Sequence, residues 1–205
     1  MSADPPSRRE RERERHRQEI LAAAESLFLE RGIDAATMDD IASASEFAVG
    51  TLYRYFRSKD DLAVALVVDR VCAFAERLEA IAEGAFHAEL QELLDLWEDS
   101  ARRSYPLMQV MFSGRRTIPN PEDECSELFE LFERVSAAVA RVLGHGVEQG
   151  ELDGEPDQMA VALLSLLHGL TRHAWRRRAS ELGAAIWTAR RVFLDGCCRR
   201  HTELA

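Results

Sequence analysis

Apolar residues recur along this chain at intervals of three and four, which is the spacing of one face of an α-helix. The first such stripe consists of Ile20, Ala24, Leu27 and Phe28. Gly32 follows the stripe closely, and glycine can take the left-handed backbone conformation that closes a helix. Runs that alternate between apolar and polar residues, which are typical of β-strands, are almost absent. The pattern therefore predicts an all-α protein.

A capping signal predicts where the second helix begins. Thr37 and Asp40 have the spacing at which each side chain can bond the other residue's backbone N–H at a helix start. This helix is predicted to end near Ser45, and a third short helix is predicted over residues 48–56. Three short helices, of which the last two are joined by a tight turn, are typical of a helix-turn-helix.

The helical pattern continues with longer elements to the end of the chain. A second capping signal at residues 58–61 opens a long helix, and further helices are predicted at about 87–104, 107–112, 122–143, 156–178 and 180–198. A break or a kink is expected at Pro106, because proline lacks the N–H that the helix requires. The predicted organisation is an N-terminal arm over residues 1–16, a three-helix module over 17–70 and a larger helical domain over 71–205.

The charges are distributed unevenly. The 205 residues carry 26 Lys and Arg against 36 Asp and Glu, which gives a net charge of −10. This total argues against a nucleic-acid-binding protein, because phosphate contacts need cations. Residues 8–17, however, hold six arginines against three glutamates, and one basic face is enough for DNA binding. The arm is predicted as a solvated helical extension with i,i+4 ion pairs, or as a segment that reaches the minor groove or adjacent phosphates, and both predictions can hold together.

Signatures of catalysis and of cofactor binding are absent from the sequence. There is no nucleophile elbow, P-loop, zinc-protease or dinucleotide-binding motif, so neither an enzyme nor a cofactor is predicted. His168 and His173 are five residues apart, which misses the spacing of a helical metal pair. The N-terminus is charged and the longest apolar stretch is too short to span a bilayer, so we expect a cytoplasmic protein.

The predicted third helix carries the groups that a DNA-reading helix needs. Gly50 and Thr51 are small, which suits a close approach to base edges in the major groove. Tyr53, Tyr55 and Lys59 supply hydroxyl and cationic groups that can hold phosphates. These residue types, at this position after a tight turn, favour duplex DNA as the partner.

The wider pattern around these residues has a known counterpart. It reads Ile20-Leu21-x-Ala23-Ala24-x-x-Leu27-Phe28-x-x-Arg31-Gly32, then Thr37, Ile41-Ala42 and Gly50-Thr51-Leu52-Tyr53-x-Tyr55-Phe56-x-x-Lys59-x-x-Leu62. In this stretch the chain resembles the TetR-type (tetracycline-repressor-like) transcriptional regulators. The resemblance implies that the side chains of Thr37, Tyr53, Tyr55 and Lys59 contact phosphates, whereas Val49, Gly50 and Thr51 face base edges. It also implies that residues 71–205 form a ligand-binding and dimerisation domain, in which the last two helices of each subunit make a four-helix bundle.

The turn between the second and third helices departs from the family pattern. Members of the family usually have Ala-Gly-Val-Ser where this chain has Ser45, Glu46, Phe47 and Ala48. Without glycine at position 46, a left-handed turn conformation costs roughly 1 kcal/mol. Ala48 lacks the hydroxyl with which serine would cap the next helix. The altered turn leaves open a second interpretation, in which the chain is a helical adaptor for protein partners.

Two expectations concern the larger domain. A mainly apolar small-molecule effector is expected to bind between Trp97, Tyr105, Met108, Phe112 and His168 and to release the protein from DNA. The stripe of Leu182, Ile186, Ala189 and Phe193 is predicted as the seam of a homodimer. A dimer is expected because one short recognition helix reads too few base pairs, so the operator should be a pseudo-palindrome.

Overall fold

The computed structural model describes the backbone of residues 7–113, 126–177 and 179–197, and the side chains of these ranges except 105–113, 126–128 and 179. The described chain is helical throughout, as the periodicity predicts, with turns and a single turn of 3₁₀ helix at Ala179–Glu181 between elements. The helices are α1 (Arg8–Arg31), α2 (Met38–Ala44), α3 (Val49–Tyr55), α4 (Lys59–Glu79), α5 (Phe86–Ser113), α6 (Ser126–Glu148), α7 (Pro156–Arg177) and α8 (Leu182–Cys197).

The chain divides into two compact units, and the first contains α1, α2, α3, the beginning of α4 up to Asp69 and the end of α5 from Pro106. Its core is apolar and tightly closed: Ile20 and Phe28 of α1, Ile41 of α2 and Leu52 of α3 are all fully buried. Helices α1, α2 and α3 therefore each contribute an apolar face to one shared core. This packing orients the short helix α3.

The second unit contains the remainder of α4, the main part of α5, and α6, α7 and α8. Its core combines apolar residues from all of these helices: Phe74, Leu78, Leu90, Leu93, Trp97, Val139, Leu143, Leu163, Leu167, Ile186 and Phe193. No helix in the described part of the chain is both long enough and apolar enough to cross a membrane.

The predicted dimer seam is wrong. Leu182, Ile186, Ala189 and Phe193 are buried within the chain's own core, with at most 6% of each residue exposed. The stripe was correctly recognised as a buried face of a helix, but it packs against other helices of the same chain. Outside this stripe, Trp187 and Val192 of α8 are 56% and 49% exposed. These side chains are available to a partner.

Helix α5 differs from its predicted form. It is continuous from Phe86 to Ser113, so the helix does not end at Pro106. Proline removes one intrahelical hydrogen bond and disfavours the helix locally, yet the helix extends beyond it. The predicted loop at residues 117–121 and the predicted start of the next helix at 122 lie outside the described residues.

Candidate nucleic-acid interface

The start of helix α2 is held by a reciprocal cap between Thr37 and Asp40. The Asp40 N–H donates to the Thr37 hydroxyl oxygen over 3.1 Å, and the Thr37 N–H and hydroxyl donate to one Asp40 carboxylate oxygen over 3.1 and 2.6 Å. The hydrogen bonds from Thr37 hold the pKa of Asp40 below its ordinary value. The predicted cap is confirmed, and both donors of Thr37, one of the predicted phosphate contacts, are bonded to Asp40.

The turn between α2 and α3 is closed by a left-handed residue that is not glycine. Glu46 has φ +59°, which L-residues other than glycine, asparagine and aspartate adopt rarely. Backbone hydrogen bonds from Glu46 to Ser43 and from Phe47 to Ala42 keep the turn tight, at 3.3 and 3.0 Å. The chain thus retains the tight geometry of a helix-turn-helix, with strain at the position where the resembling proteins carry glycine.

Ala48 is the N-cap of α3, and it provides no side-chain hydrogen bond to the first turn of that helix. Its extended backbone, with φ −65° and ψ 141°, is the conformation from which serine caps a helix. We therefore expect Ala48→Ser to raise the free energy of unfolding by about 0.5–2 kcal/mol. Chemical denaturation measures the change, with Ala22→Ser on the exposed middle of α1 as the control. The control should be neutral or slightly destabilising, and an equal response of both variants would contradict the capping role.

The outward face of α3 is formed by Gly50, Tyr53 and Arg54. These residues are three and four positions apart and therefore lie on one side of the helix. All of them are exposed, and Tyr53 is 53% accessible. Arg54 was not among the predicted site residues, although its spacing of four from Gly50 was a usable signal. A small residue beside a phenol hydroxyl and a guanidinium is a combination that suits the edge of a DNA groove.

Gly50 has no structural need to be glycine. A Cβ added at this position would meet no atom within 4 Å, and the backbone φ is not in the left-handed range. Glycine inside a helix costs roughly 0.5–1 kcal/mol relative to alanine. The chain thus carries a destabilising residue on an open face, which is expected where another molecule approaches the backbone closely.

The other predicted residues of α3 are less open. Val49 is half-buried and packs on the core of the first unit, and Thr51 is half-buried as well. Tyr55 also packs on this core, and its hydroxyl lies 3.5 Å from Nδ1 of His16. Of the predicted residues, Gly50 and Tyr53 therefore lie on the open face of α3, whereas Val49 and Tyr55 also anchor this helix to the core.

Lys59 joins the first turn of α4 to the segment that follows α1. Its Nζ donates to the main-chain oxygens of Asp34 and Ala36 over 3.0 and 3.1 Å. An ammonium group has three N–H donors, so one remains for a phosphate. Lys59 is half-buried at this position, and its role combines a structural contact with the predicted ionic one.

The helix-turn-helix of this chain has counterparts in known proteins. Residues 20–66 match the sequence profile of the family described as bacterial regulatory proteins, tetR family. The matched range runs from the first buried residue of α1 into α4, and it contains the complete helix-turn-helix. Residues 20–66 therefore match the helix-turn-helix region of the tetR family.

Similar proteins extend the likeness beyond the matched range. The HTH-type transcriptional repressor NemR of Escherichia coli is 24% identical over 174 residues, which is 80% of this chain and 86% of NemR. A TetR transcription regulator from Haloarcula marismortui has the same fold with a TM-score of 0.76, at 22% identity over 91% of this chain and all of that one. SmeT, the repressor of a multidrug efflux pump of Stenotrophomonas maltophilia, gives a TM-score of 0.67 at 20% identity, covering 90% and 91% of the two chains.

The predicted effector region in the second unit centres on Trp97. The Trp97 ring packs edge-on against His168, with 4.7 Å between ring centroids, and against Phe74, with 5.6 Å. Its indole N–H donates to the buried Thr171 hydroxyl over 3.0 Å. Trp97 and His168 are thus brought together as predicted, whereas the side chains of Tyr105, Met108 and Phe112 lie outside the described residues.

His168 lies at the open side of this cluster. Part of its ring remains accessible, while burial of the rest lowers the pKa of the imidazole, and nearby Arg172 lowers it further against the opposing effect of a hydrogen bond to Leu164. The lowered pKa favours the neutral form of the ring. Nδ1 lies 2.9 Å from the Leu164 carbonyl and donates to it, which leaves Nε2 as an acceptor for a ligand.

A cleft on α4 and α5 lies in the same unit and was not predicted. Its volume is about 310 Å³, and it is lined by Arg70, Ala73, Phe74, Arg77, Ser100, Arg103 and Ser104. Arg77 donates to Asp99 over 2.8 Å, so part of the cationic charge is neutralised. Phe74 is common to this cleft and the Trp97 cluster.

Proposed function

We propose that this protein is a TetR-family transcriptional repressor that binds a pseudo-palindromic DNA operator and is released from it by a small molecule. The observation that carries the proposal is the outward face of α3, where Gly50, Tyr53 and Arg54 are presented together after a tight turn. The helical adaptor interpretation loses its main support, because Glu46 adopts the turn conformation despite its side chain.

In this proposal the protein is a homodimer, and three segments of each chain have different roles. Residues 1–16 form the arm, 17–70 the DNA-binding module, and 71–205 the effector-binding and dimerisation domain. Support for a dimer comes from the outward faces of α7 and α8, where Val161 is 60% and Trp187 56% exposed. Large apolar side chains left exposed on two helices that pack on each other favour a second copy as their partner. The two recognition helices would then meet half-sites about 34–36 Å apart, or a multiple of this.

Substitutions at Lys59 and Tyr53 test the proposed contact with phosphates. Lys59→Gln removes the charge but keeps an N–H donor for the carbonyls of Asp34 and Ala36. It is expected to weaken binding to all duplexes alike and to reduce the salt slope by about 1 per subunit. Tyr53→Phe is expected to weaken binding without changing the slope. Fluorescence anisotropy with labelled duplexes over a salt series measures both quantities.

The control for this experiment is Arg177→Ala, which removes one exposed charge at the end of α7 in the second unit. Its slope should equal that of the unsubstituted protein. If Lys59→Gln leaves affinity and slope unchanged while thermal melting shows a folded protein, Lys59 holds no phosphate. If the unsubstituted protein retains no duplex at low salt, the proposed DNA-binding function is wrong.

The proposed effector is a mainly apolar small molecule that binds beside Trp97 and His168. Helix α4 is uninterrupted from Lys59 to Glu79, and its later part carries Phe74, which packs on Trp97. A ligand that displaces Trp97 would therefore act on the helix that begins beside α3. A coupling free energy of about 1–3 kcal/mol changes DNA affinity by roughly 5- to 150-fold.

The effector proposal can be tested with triclosan as the first probe, because a structure of SmeT is known as a complex with triclosan. We expect binding to raise the melting temperature and to lower affinity for DNA, and His168→Ala to weaken both effects. Arg77→Gln removes a cation from the separate α4–α5 cleft and should leave both effects intact. If Arg77→Gln abolishes them and His168→Ala does not, the effector site is the cleft.

A further inference from the structure

Helix α1 begins well before the part of it that packs. Its first buried residue is Ile20, but the helix starts at Arg8, and every residue from 8 to 15 is exposed. At 1.5 Å per residue this extension is about 18 Å long. Its start is capped by Ser7 and Glu10, which bond each other's backbone N–H groups at 2.6 and 3.3 Å. The chain thus caps a helical extension whose residues 8–15 remain exposed.

The glutamates of this extension are already engaged within α1. Glu10 caps the helix, Glu12 lies within ion-pair distance of Arg15, and Glu14 within ion-pair distance of Arg17. Arg17 also forms two hydrogen bonds of 3.0 Å to Asp69. Among the described residues, the structure gives no hydrogen bond or ion pair to Arg8, Arg9 or Arg13. The acidic residues therefore neutralise the base of the extension and leave its outer turns cationic.

The arginines of the extension fall on two faces of the helix. Arg9, Arg13 and His16 are spaced by four and three residues and share one face, while Arg8, Arg11 and Arg15 share another. The first face is oriented by His16, whose ring packs against Phe47 with 5.1 Å between centroids and lies near the Tyr55 hydroxyl. Phe47 precedes α3 and Tyr55 ends it, so this face of α1 runs alongside the recognition helix. Arg9 and Arg13 lie on the same face of α1, on the N-terminal side of His16.

We propose that Arg9 and Arg13 bind the phosphate backbone of the same duplex that α3 reads, outside the bases contacted by α3. This inference rests on the proposed DNA-binding function. The extension is helical and cationic, and it carries no apolar residue between Arg8 and Glu19 with which to enter a lipid surface. A polyanion of regular spacing fits these features, and phosphate contacts of this kind add affinity for every sequence.

The experiment compares two double variants that remove the same charge from the same helix. Arg9→Ala/Arg13→Ala takes two cations from the face of His16, whereas Arg8→Ala/Arg11→Ala takes two from the other face. Alanine favours the helix, and circular dichroism checks that the extension persists. Binding to a labelled duplex of mixed sequence is measured between about 50 and 200 mM salt.

The first double variant is expected to reduce the salt slope by about 1.8 per subunit and to weaken binding to every sequence. The second should change the slope by less than half of that. Equal losses in both variants would overturn the proposal, since the arginines would then act only through the general field. Unchanged slopes in both would overturn it as well. Failure of the unsubstituted protein to bind any duplex would refute the DNA-binding function itself, which distinguishes the two failures.

Discussion

Gly50→Ala is expected to stabilise the free protein and at the same time to weaken its binding to DNA. The added methyl group meets no atom within 4 Å of the chain, so the helix gains about 0.5–1 kcal/mol from the loss of glycine. In the complex, the methyl group occupies space between the backbone of α3 and the base edges. An overpacked contact costs roughly 1–3 kcal/mol, which corresponds to a 5- to 150-fold loss of affinity.

The measurement uses the duplex that the unsubstituted protein selects from a random pool, together with denaturation of the free protein. Gly196→Ala is the matched control, because Gly196 is exposed in α8 and an added Cβ there also meets open space. The control should gain stability and keep its DNA affinity. If Gly50→Ala gains stability and binds DNA as tightly as before, the face formed by Gly50, Tyr53 and Arg54 does not approach the bases.

Val161→Asp is expected to separate the proposed dimer into monomers and to remove most of the operator affinity. Val161 is 60% exposed on α7, and Trp187 on α8 is exposed to a similar degree, at 56%. A carboxylate placed in an apolar interface without a partner loses its hydration and destabilises the dimer strongly. A monomer carries one recognition helix, so it loses the avidity of two linked sites, a factor of about 10²–10⁴.

Light scattering at micromolar concentration and anisotropy with the selected duplex measure the two effects. Leu29→Asp provides the control, since Leu29 is 43% exposed on α1 in the other unit and the change in chemistry is comparable. It should leave the dimer intact. A contrasting variant is Ile186→Ala in the buried stripe, which is expected to cost about 2–5 kcal/mol of stability. A dimeric Val161→Asp protein would show that the partner face lies elsewhere.

The helix-turn-helix was predictable from the sequence because its signals are local. The reciprocal cap of Thr37 and Asp40 depends on residues three positions apart, and it is present as predicted. Ala48 as the N-cap of α3 followed from the same reasoning. The conformation of Glu46 needed the tertiary structure, because a positive φ at a non-glycine residue persists only where the surrounding packing enforces it.

The capping signal at the start of α1 is equally local. Ser7 and Glu10 have the spacing of a capping box, yet the sequence supported two interpretations of residues 1–16. The structure decides that the described part of this arm is helical. Helical spacing shows which arginines share a face of α1, but not which face lies on the side of the recognition helix. Only the contacts of His16 in the structure show that side.

For the larger domain, the sequence determined which residues of each helix are buried but not what buries them. Leu182, Ile186, Ala189 and Phe193 have the periodicity of a buried stripe whether the stripe meets a second subunit or the chain's own core. Only the tertiary structure distinguishes the two, because it shows these side chains packed among α4 to α7 and leaves Trp187 and Val192 open. Periodicity is a property of one helix, whereas an interface is a property of the helices that meet.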